Sequence, residues 1–118
     1  MQTQINTIDY SLLVELVELI GIESLGDAMQ VFARDVGKIA EAMAAAANSG
    51  DADEVRRQAH RMRGLGMQFG ALGLAQIAGE LERDTSSQVL QSARLLIDCA
   101  PQAVAATCLA ADRLAAPA

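Results

Sequence analysis

Apolar residues recur along the chain at intervals of three and four, the period of a helix with one buried face. The clearest stripe runs through Leu25, Met29, Phe32, Val36, Ile39, Met43 and Ala46, with Asp27, Arg34, Asp35, Lys38 and Glu41 on the other faces. It predicts a helix roughly 35 Å long at 1.5 Å per residue, ended by Asn48-Ser49-Gly50. A shorter helix precedes it, with Asp9 as N-cap, Ile8 stapled on Leu13, a stripe of Leu13, Leu16, Val17 and Ile20, and a stop at Gly21. A third helix opens on the acidic capping box Asp51-Ala52-Asp53-Glu54, turns Val55, Ala59, Met62, Gly66 and Phe69 inward, and closes at Gly70. A fourth spans Leu72 to Arg83, with Leu74, Ile77, Ala78 and Leu81 inward. Beyond the polar turn Asp84-Thr85-Ser86-Ser87, a fifth runs from Ser87 toward Leu114 on Val89, Ala93, Leu96, Ala100, Val104, Cys108 and Ala111. Pro101 removes one backbone hydrogen bond and presses on the preceding turn, so this last helix is kinked or split there. Residues 115–118 form a frayed tail.

Short connections make successive helices antiparallel. The expected fold is all-α: an up-and-down antiparallel four-helix bundle with the first, short helix as an N-terminal cap. At 118 residues the chain supports one core, so residues 1–118 read as a single domain. Composition agrees. Hydrophobic residues make up 52%, much of it Ala, and aromatics only 3%, which suits helices and makes a poor sheet. Cys99 and Cys108, nine apart on one helix, point to opposite sides about 13 Å apart, too far for a disulfide. They read as buried small hydrophobes in a reducing compartment. Met1–Asp9 has neither a basic start nor an apolar run, so no signal peptide is expected. The longest uncharged stretches, Gly64–Gly79 and Cys99–Ala111, fall short of the ~20 residues of a membrane span. The expectation is a cytoplasmic protein with no membrane partner. Met1 fits a free-standing protein, and a fragment of a larger one would read the same.

A net charge of −6 argues against a nucleic-acid partner, since phosphate neutralisation needs a basic surface. The acidity is uneven, however. Arg56, Arg57, Arg61 and Arg63 crowd into eight acid-free residues around the only histidine, His60. One histidine and no cysteine pair at ligand spacing leave no His/Cys metal site, and no phosphate-binding loop or nucleophile elbow is present. A lone exposed histidine is most often an ordinary surface residue. Two features raise His60 above that. On a helix its neighbours are Arg56, Arg57, Arg63 and Gly64, and Arg63 could offset the charge of a phosphoryl group on the ring. Gly64 and Gly66 also each cost about 0.8–1 kcal/mol relative to Ala in a helix interior. Gly66 lies on the core stripe, where close packing accounts for it. Gly64 does not, and an approaching partner does.

These residues resemble the histidine phosphotransfer (HPt) domains of multistep phosphorelays. That pattern has Ala-His, an apolar residue two after the His, Lys-Gly at +3 and +4, Gly at +10, Leu at +14 and a Leu-Glu-like pair near +21. Here Ala59-His60-Arg61-Met62-Arg63-Gly64 is followed by Gly70, Leu74 and Leu81-Glu82, a close match over residues 59–82. The bundle pattern, with Phe32 and Asp35, extends it loosely back to Asp9, and the C-terminal third adds only a helix. The resemblance implies His60 as phosphoacceptor on Nε2, with Arg63, Gly64, Glu82 and Arg57 stabilising the phosphoryl group or orienting the ring. It implies a partner surface with Arg56, Gly64, Met67 and Ile22. Two departures bear on transfer rate: Arg for Lys at 63, a planar fork rather than a point charge, and Leu65-Gly66 in place of small polar residues.

By the same resemblance the protein is not an enzyme but a phosphoryl carrier, and a monomer. It takes a phosphoryl group from a receiver-domain aspartyl phosphate and passes it to another receiver. Its partners are receivers of response regulators or of a hybrid sensor histidine kinase. It needs no cofactor or metal of its own, Mg²⁺ being expected on the partner receiver only. Two other readings stand beside this one: a helical adaptor that binds a receiver or other signalling protein without taking phosphate, and a structural bundle that dimerises through an apolar face.

Overall fold

The computed structural model describes residues 4–115. Five helices follow in order: α1 (Tyr10–Ile20), α2 (Ile22–Asn48), α3 (Ala52–Gln68), α4 (Leu72–Arg83) and α5 (Val89–Ala115), with no strand among the described residues. Helices α2, α3, α4 and α5 pack in a ring, each against the next and α5 back against α2, while α1 lies against α2 and α5. This is the expected up-and-down four-helix bundle with its cap.

The caps explain the boundaries. Asp9 accepts from the Leu12 amide at 3.1 Å, and Asp51 accepts from the Glu54 amide at 3.1 Å. The reciprocal half of that second box does not form, because the Glu54 carboxylate is taken by Arg57 and Gln58. Gly21, at φ 84°, makes the whole connection between α1 and α2. Its left-handed backbone turns the chain at little cost only without a side chain.

The stripe predicted for α2 is buried throughout, Phe32 and Met43 completely. In α3, Val55, Ala59, Met62 and Gly66 are buried and Phe69 is half-buried, its ring centroid 5.1 Å from that of Phe32. Ile20 and Ile77 lie further out than their stripes implied: Ile20 is exposed and Ile77 half-buried. Cys99 is exposed and Cys108 half-buried; both thiols are free, and burial pushes Cys108 up.

Helix α5 runs unbroken through Pro101, so it is not split. The core register beyond the proline differs from the expected one. Ala103, Thr107 and Ala110 are buried, as is Ala111 from the expected stripe, while Val104 and Cys108 are half-buried. The observed series 89, 93, 96, 100, 103, 107, 110 keeps the alternating four-three period across the proline, whereas the expected series took two steps of four. Thr107 can be buried because its hydroxyl donates to the Ala103 carbonyl at 2.8 Å. By length and composition α5 could also cross a membrane, but one face of it is packed into this bundle. Ala115 closes α5, and the rest of the expected frayed tail lies outside the described residues.

The α3–α4 turn carries the site's register. Gly70, at φ 78°, ends α3, with the Ala71 amide donating to the Gly66 carbonyl at 2.9 Å. The N-terminal segment is pinned across this turn: the Asp9 amide donates to Gly70 at 2.8 Å, and the Gly73 amide donates to Thr7 at 2.9 Å. A Cβ at Gly73 would collide with the backbone carbonyls of Gln4 and Ile5. Gly73→Ala should therefore free residues 4–9 from α4 and destabilise the protein by about 1–3 kcal/mol in urea unfolding. Amide exchange at Asp9 should accelerate while the α2 and α5 core amides stay protected. Unchanged stability would show that the segment contributes nothing to the fold.

Candidate functional site

His60 sits on the outward line of α3, opposite the core residues Met62 and Phe69 by helical geometry. Its side chain is 62% exposed. Nδ1 lies 2.6 Å from Oε1 of Glu82 on α4. The other carboxylate oxygen of Glu82 accepts from Arg63 Nε at 3.0 Å, and Arg63 Nη2 lies 3.5 Å from His60 Nδ1. Desolvation pushes the Glu82 carboxyl up, but the hydrogen bond and charge of His60 and those of Arg63 outweigh it and hold the group below its ordinary range. An ionised carboxylate only accepts hydrogen bonds. The proton of a neutral ring is therefore assigned to Nδ1, leaving the Nε2 lone pair bare. Among the described residues no protein group hydrogen-bonds to Nε2.

The two helices hold this geometry because they approach closely. At Gly66 an added Cβ would stand 3.1 Å from the Ala71 carbonyl oxygen and 3.2 Å from Ala75 Cβ. The core stripe anticipated this close packing. Gly64, one turn after His60, has nothing within 4 Å of an added Cβ, so the space beside the imidazole is open. On that side Gly64 borders a groove of about 680 Å³ between α2 and α3, lined also by Asp35, Lys38, Ile39 and Arg61.

The remaining arginines do not ring the imidazole. Arg56 donates to Asp53 at 2.6 Å and to the Asp84 carbonyl at 3.0 Å, tying α3 to the α4–α5 loop. Arg57 pairs with Glu54 at 2.7 Å, and Arg61 donates to Gln58 at 3.3 Å. Apart from the Arg56–Asp84 bond, these contacts run along α3, because acids and amides three residues earlier are closer partners than the ring. Arg57 is thus not brought to the imidazole, and Arg56 is half-buried. Met67 is 56% exposed and borders, with Arg63, a second groove between α3 and α4. Ile22 lies elsewhere. It borders a groove between α2 and α5. With Phe32 level with Phe69, that places it roughly 28 Å along the bundle from His60 at 1.5 Å per residue. Gly79 of α4 was not anticipated. It lies under the Arg63 stem, and its signal was the one used for Gly64: a mid-helix glycine in an alanine-rich chain. No cluster of three or more His, Cys, Asp or Glu suited to a metal is found among the described residues.

A family model, the Hpt domain, matches residues 27–116. The chain belongs to the Hpt family. No match was found among characterised proteins or solved structures. Hpt domains are helical bundles that serve histidine phosphotransfer in phosphorelays and meet the receiver domains of response regulators. The match takes in all of α5, which the motif at 59–82 could not have claimed for the Hpt pattern.

Two outcomes follow from this geometry. Gly64→Ala should stabilise the protein by about 0.5–1 kcal/mol in urea unfolding, because a helix-interior glycine gains a methyl group that meets nothing; a loss of stability would show hidden crowding. The Glu82 carboxyl, depressed on folding, stabilises the fold above its unfolded value of 4.5. That contribution disappears as pH falls below 4.5 through the folded value. Glu82→Gln should flatten the stability–pH curve in that acid window.

Proposed function

We propose that the protein carries a phosphoryl group on Nε2 of His60, taking it from the aspartyl phosphate of one receiver domain and delivering it to the aspartate of another. The observation that carries this reading is the asymmetry of the ring: Nδ1 is held by Glu82 at 2.6 Å, and Nε2 is free on an exposed face beside the gap at Gly64. In the forward step the Nε2 lone pair attacks phosphorus. The N–P bond forms, the P–O bond to the receiver's aspartate breaks, and that carboxylate leaves with the bonding pair. The proton stays on Nδ1. The ring becomes a phosphoimidazolium, and its positive charge faces the Glu82 carboxylate, which stabilises it. Delivery to the second receiver runs the same bonds in reverse.

Phosphoryl transfer asks mainly for positioning and charge stabilisation, so a rigid acceptor with one oriented imidazole suffices on this side. Mg²⁺ and the groups that assist the leaving aspartate belong to the receiver, and the protein acts as a carrier rather than an enzyme. We place it in the cytoplasm as a monomer that binds neither nucleic acid nor membrane, in keeping with its charge of −6. The receiver covers the His60 face, with Gly64 and Met67 beneath it.

The test is incubation with a phosphorylated receiver. The wild-type protein should take label that is stable to alkali and labile to acid, and His60→Gln, equally folded, should take none. A folded wild-type protein that stays unlabelled with every receiver offered sinks the reading. So does His60→Gln that labels normally.

A further inference from the structure

Arg63 occupies the position where the family pattern has a lysine, and the expected task of that cation is to meet the phosphoryl group. Its guanidinium is turned elsewhere. Nε donates to Glu82 Oε2 at 3.0 Å, and Nη2 lies 3.5 Å from His60 Nδ1. Both contacts lie on the Nδ1 side of the ring, away from Nε2. The stem is held too. It passes over Gly79 of α4, where an added Cβ would stand 3.1 Å from Arg63 Cδ and 3.2 Å from Arg83 Nη1. The Arg63 side chain is accordingly only 37% exposed.

We propose that Arg63 is a positioning residue, acting on His60 through Glu82, and not a ligand of the phosphoryl group. The physical reason lies in the carboxylate. Its terminal torsion is broad, so a single bond to Nδ1 leaves it free to rotate. Arg63 fixes the second oxygen and with it the plane of the group. A fixed plane holds the proton on Nδ1 and aims the Nε2 lone pair outward. A lysine keeps the charge but lacks the fork: its ammonium is a compact, flexible donor. The notch at Gly79 gives the arginine stem room to lie between the two helices. The inference rests on reading His60 as the phosphoacceptor, and it assigns this chain's arginine a task within that reading.

The single histidine makes the test direct, because every imidazole nitrogen resonance in ¹⁵N-labelled protein belongs to His60. Wild type, Arg63→Lys, Arg63→Gln, Gly79→Ala and Glu82→Ala are compared near neutral pH, each also assayed for label uptake from a phosphorylated receiver. Wild type should show the tautomer with Nδ1 protonated. Arg63→Lys and Arg63→Gln should both drift toward the Glu82→Ala spectrum. Both should also lose about three- to tenfold in uptake rate, the size of one partly exposed charge-assisted hydrogen bond. Lysine should do no better than glutamine. Gly79→Ala, which crowds the stem by a few tenths of an ångström with every charge retained, should drift the same way to a smaller extent and guards against a folding defect peculiar to the Arg63 variants. The proposal is overturned if the Arg63 variants keep wild-type nitrogen resonances, whatever their rates. It is equally overturned if Arg63→Lys transfers at the wild-type rate while Arg63→Gln does not, since charge alone would then be the requirement. Failure of the phosphoacceptor reading looks different: wild-type protein takes no label, while the nitrogen spectra still report on the orientation of the ring.

Discussion

One carboxylate on α4 sets the chemistry of a ring on α3. Glu82 holds Nδ1 of His60 with one oxygen and Arg63 with the other, at 2.6 and 3.0 Å. Contacts of that length tolerate little sliding between the two helices, so the site depends on their register. The register is set below the site, where Gly66 lets α3 close on Ala71 and Ala75, and by the turn at Gly70, across which the N-terminal segment is hydrogen-bonded. The buried residues Ala59, Met62, Leu74 and Ala78 extend the same interface into the core. Packing fixes the helices, the helices fix the carboxylate, and the carboxylate fixes which nitrogen of the imidazole is free.

Three glycines near this interface do different work. Gly66 permits close contact between backbones, and Gly79 makes room for an arginine stem. Gly64 permits no contact within the molecule; its empty space faces outward beside His60. A helix-interior glycine with nothing packed on it gives up stability that alanine would supply. Gly26 and Gly37 of α2 are open in the same way; what sets Gly64 apart is its place one turn from the only histidine, where the proposed function brings a receiver.

The charge distribution follows the same logic. The chain is acidic overall, yet four of its eight arginines gather near the histidine. Most are neutralised in place: Arg56 by Asp53, Arg57 by Glu54 and Arg63 by Glu82. Neutralisation of this kind keeps the helix surface from repelling itself and leaves the imidazole with one near neighbour of each sign, Glu82 and Arg63. These groups hold the ring at Nδ1, and among the described residues no protein group hydrogen-bonds to Nε2.

The sequence by itself settled what periodicity and backbone chemistry can settle: five helices, their caps at Asp9 and Asp51, the stops at Gly21 and Gly70, and the family motif around His60. Those features are local, since a stripe, a cap or a left-handed turn is encoded within a few residues. The α5 register beyond Pro101 was legible only in part. Alanine, valine and cysteine fit a helical stripe almost equally well there, and the choice of Ala103 and Thr107 over Val104 and Cys108 was made by the helices facing them. Tertiary structure likewise decided where each arginine turned. Four guanidiniums around a histidine look alike along the chain, but each can reach several acids, and only the packing of α4 against α3 brought Glu82 within reach of Arg63 and His60 together. Long flexible side chains take their partners from what the fold sets beside them, and adjacency between helices lies beyond what a single helix's period can specify.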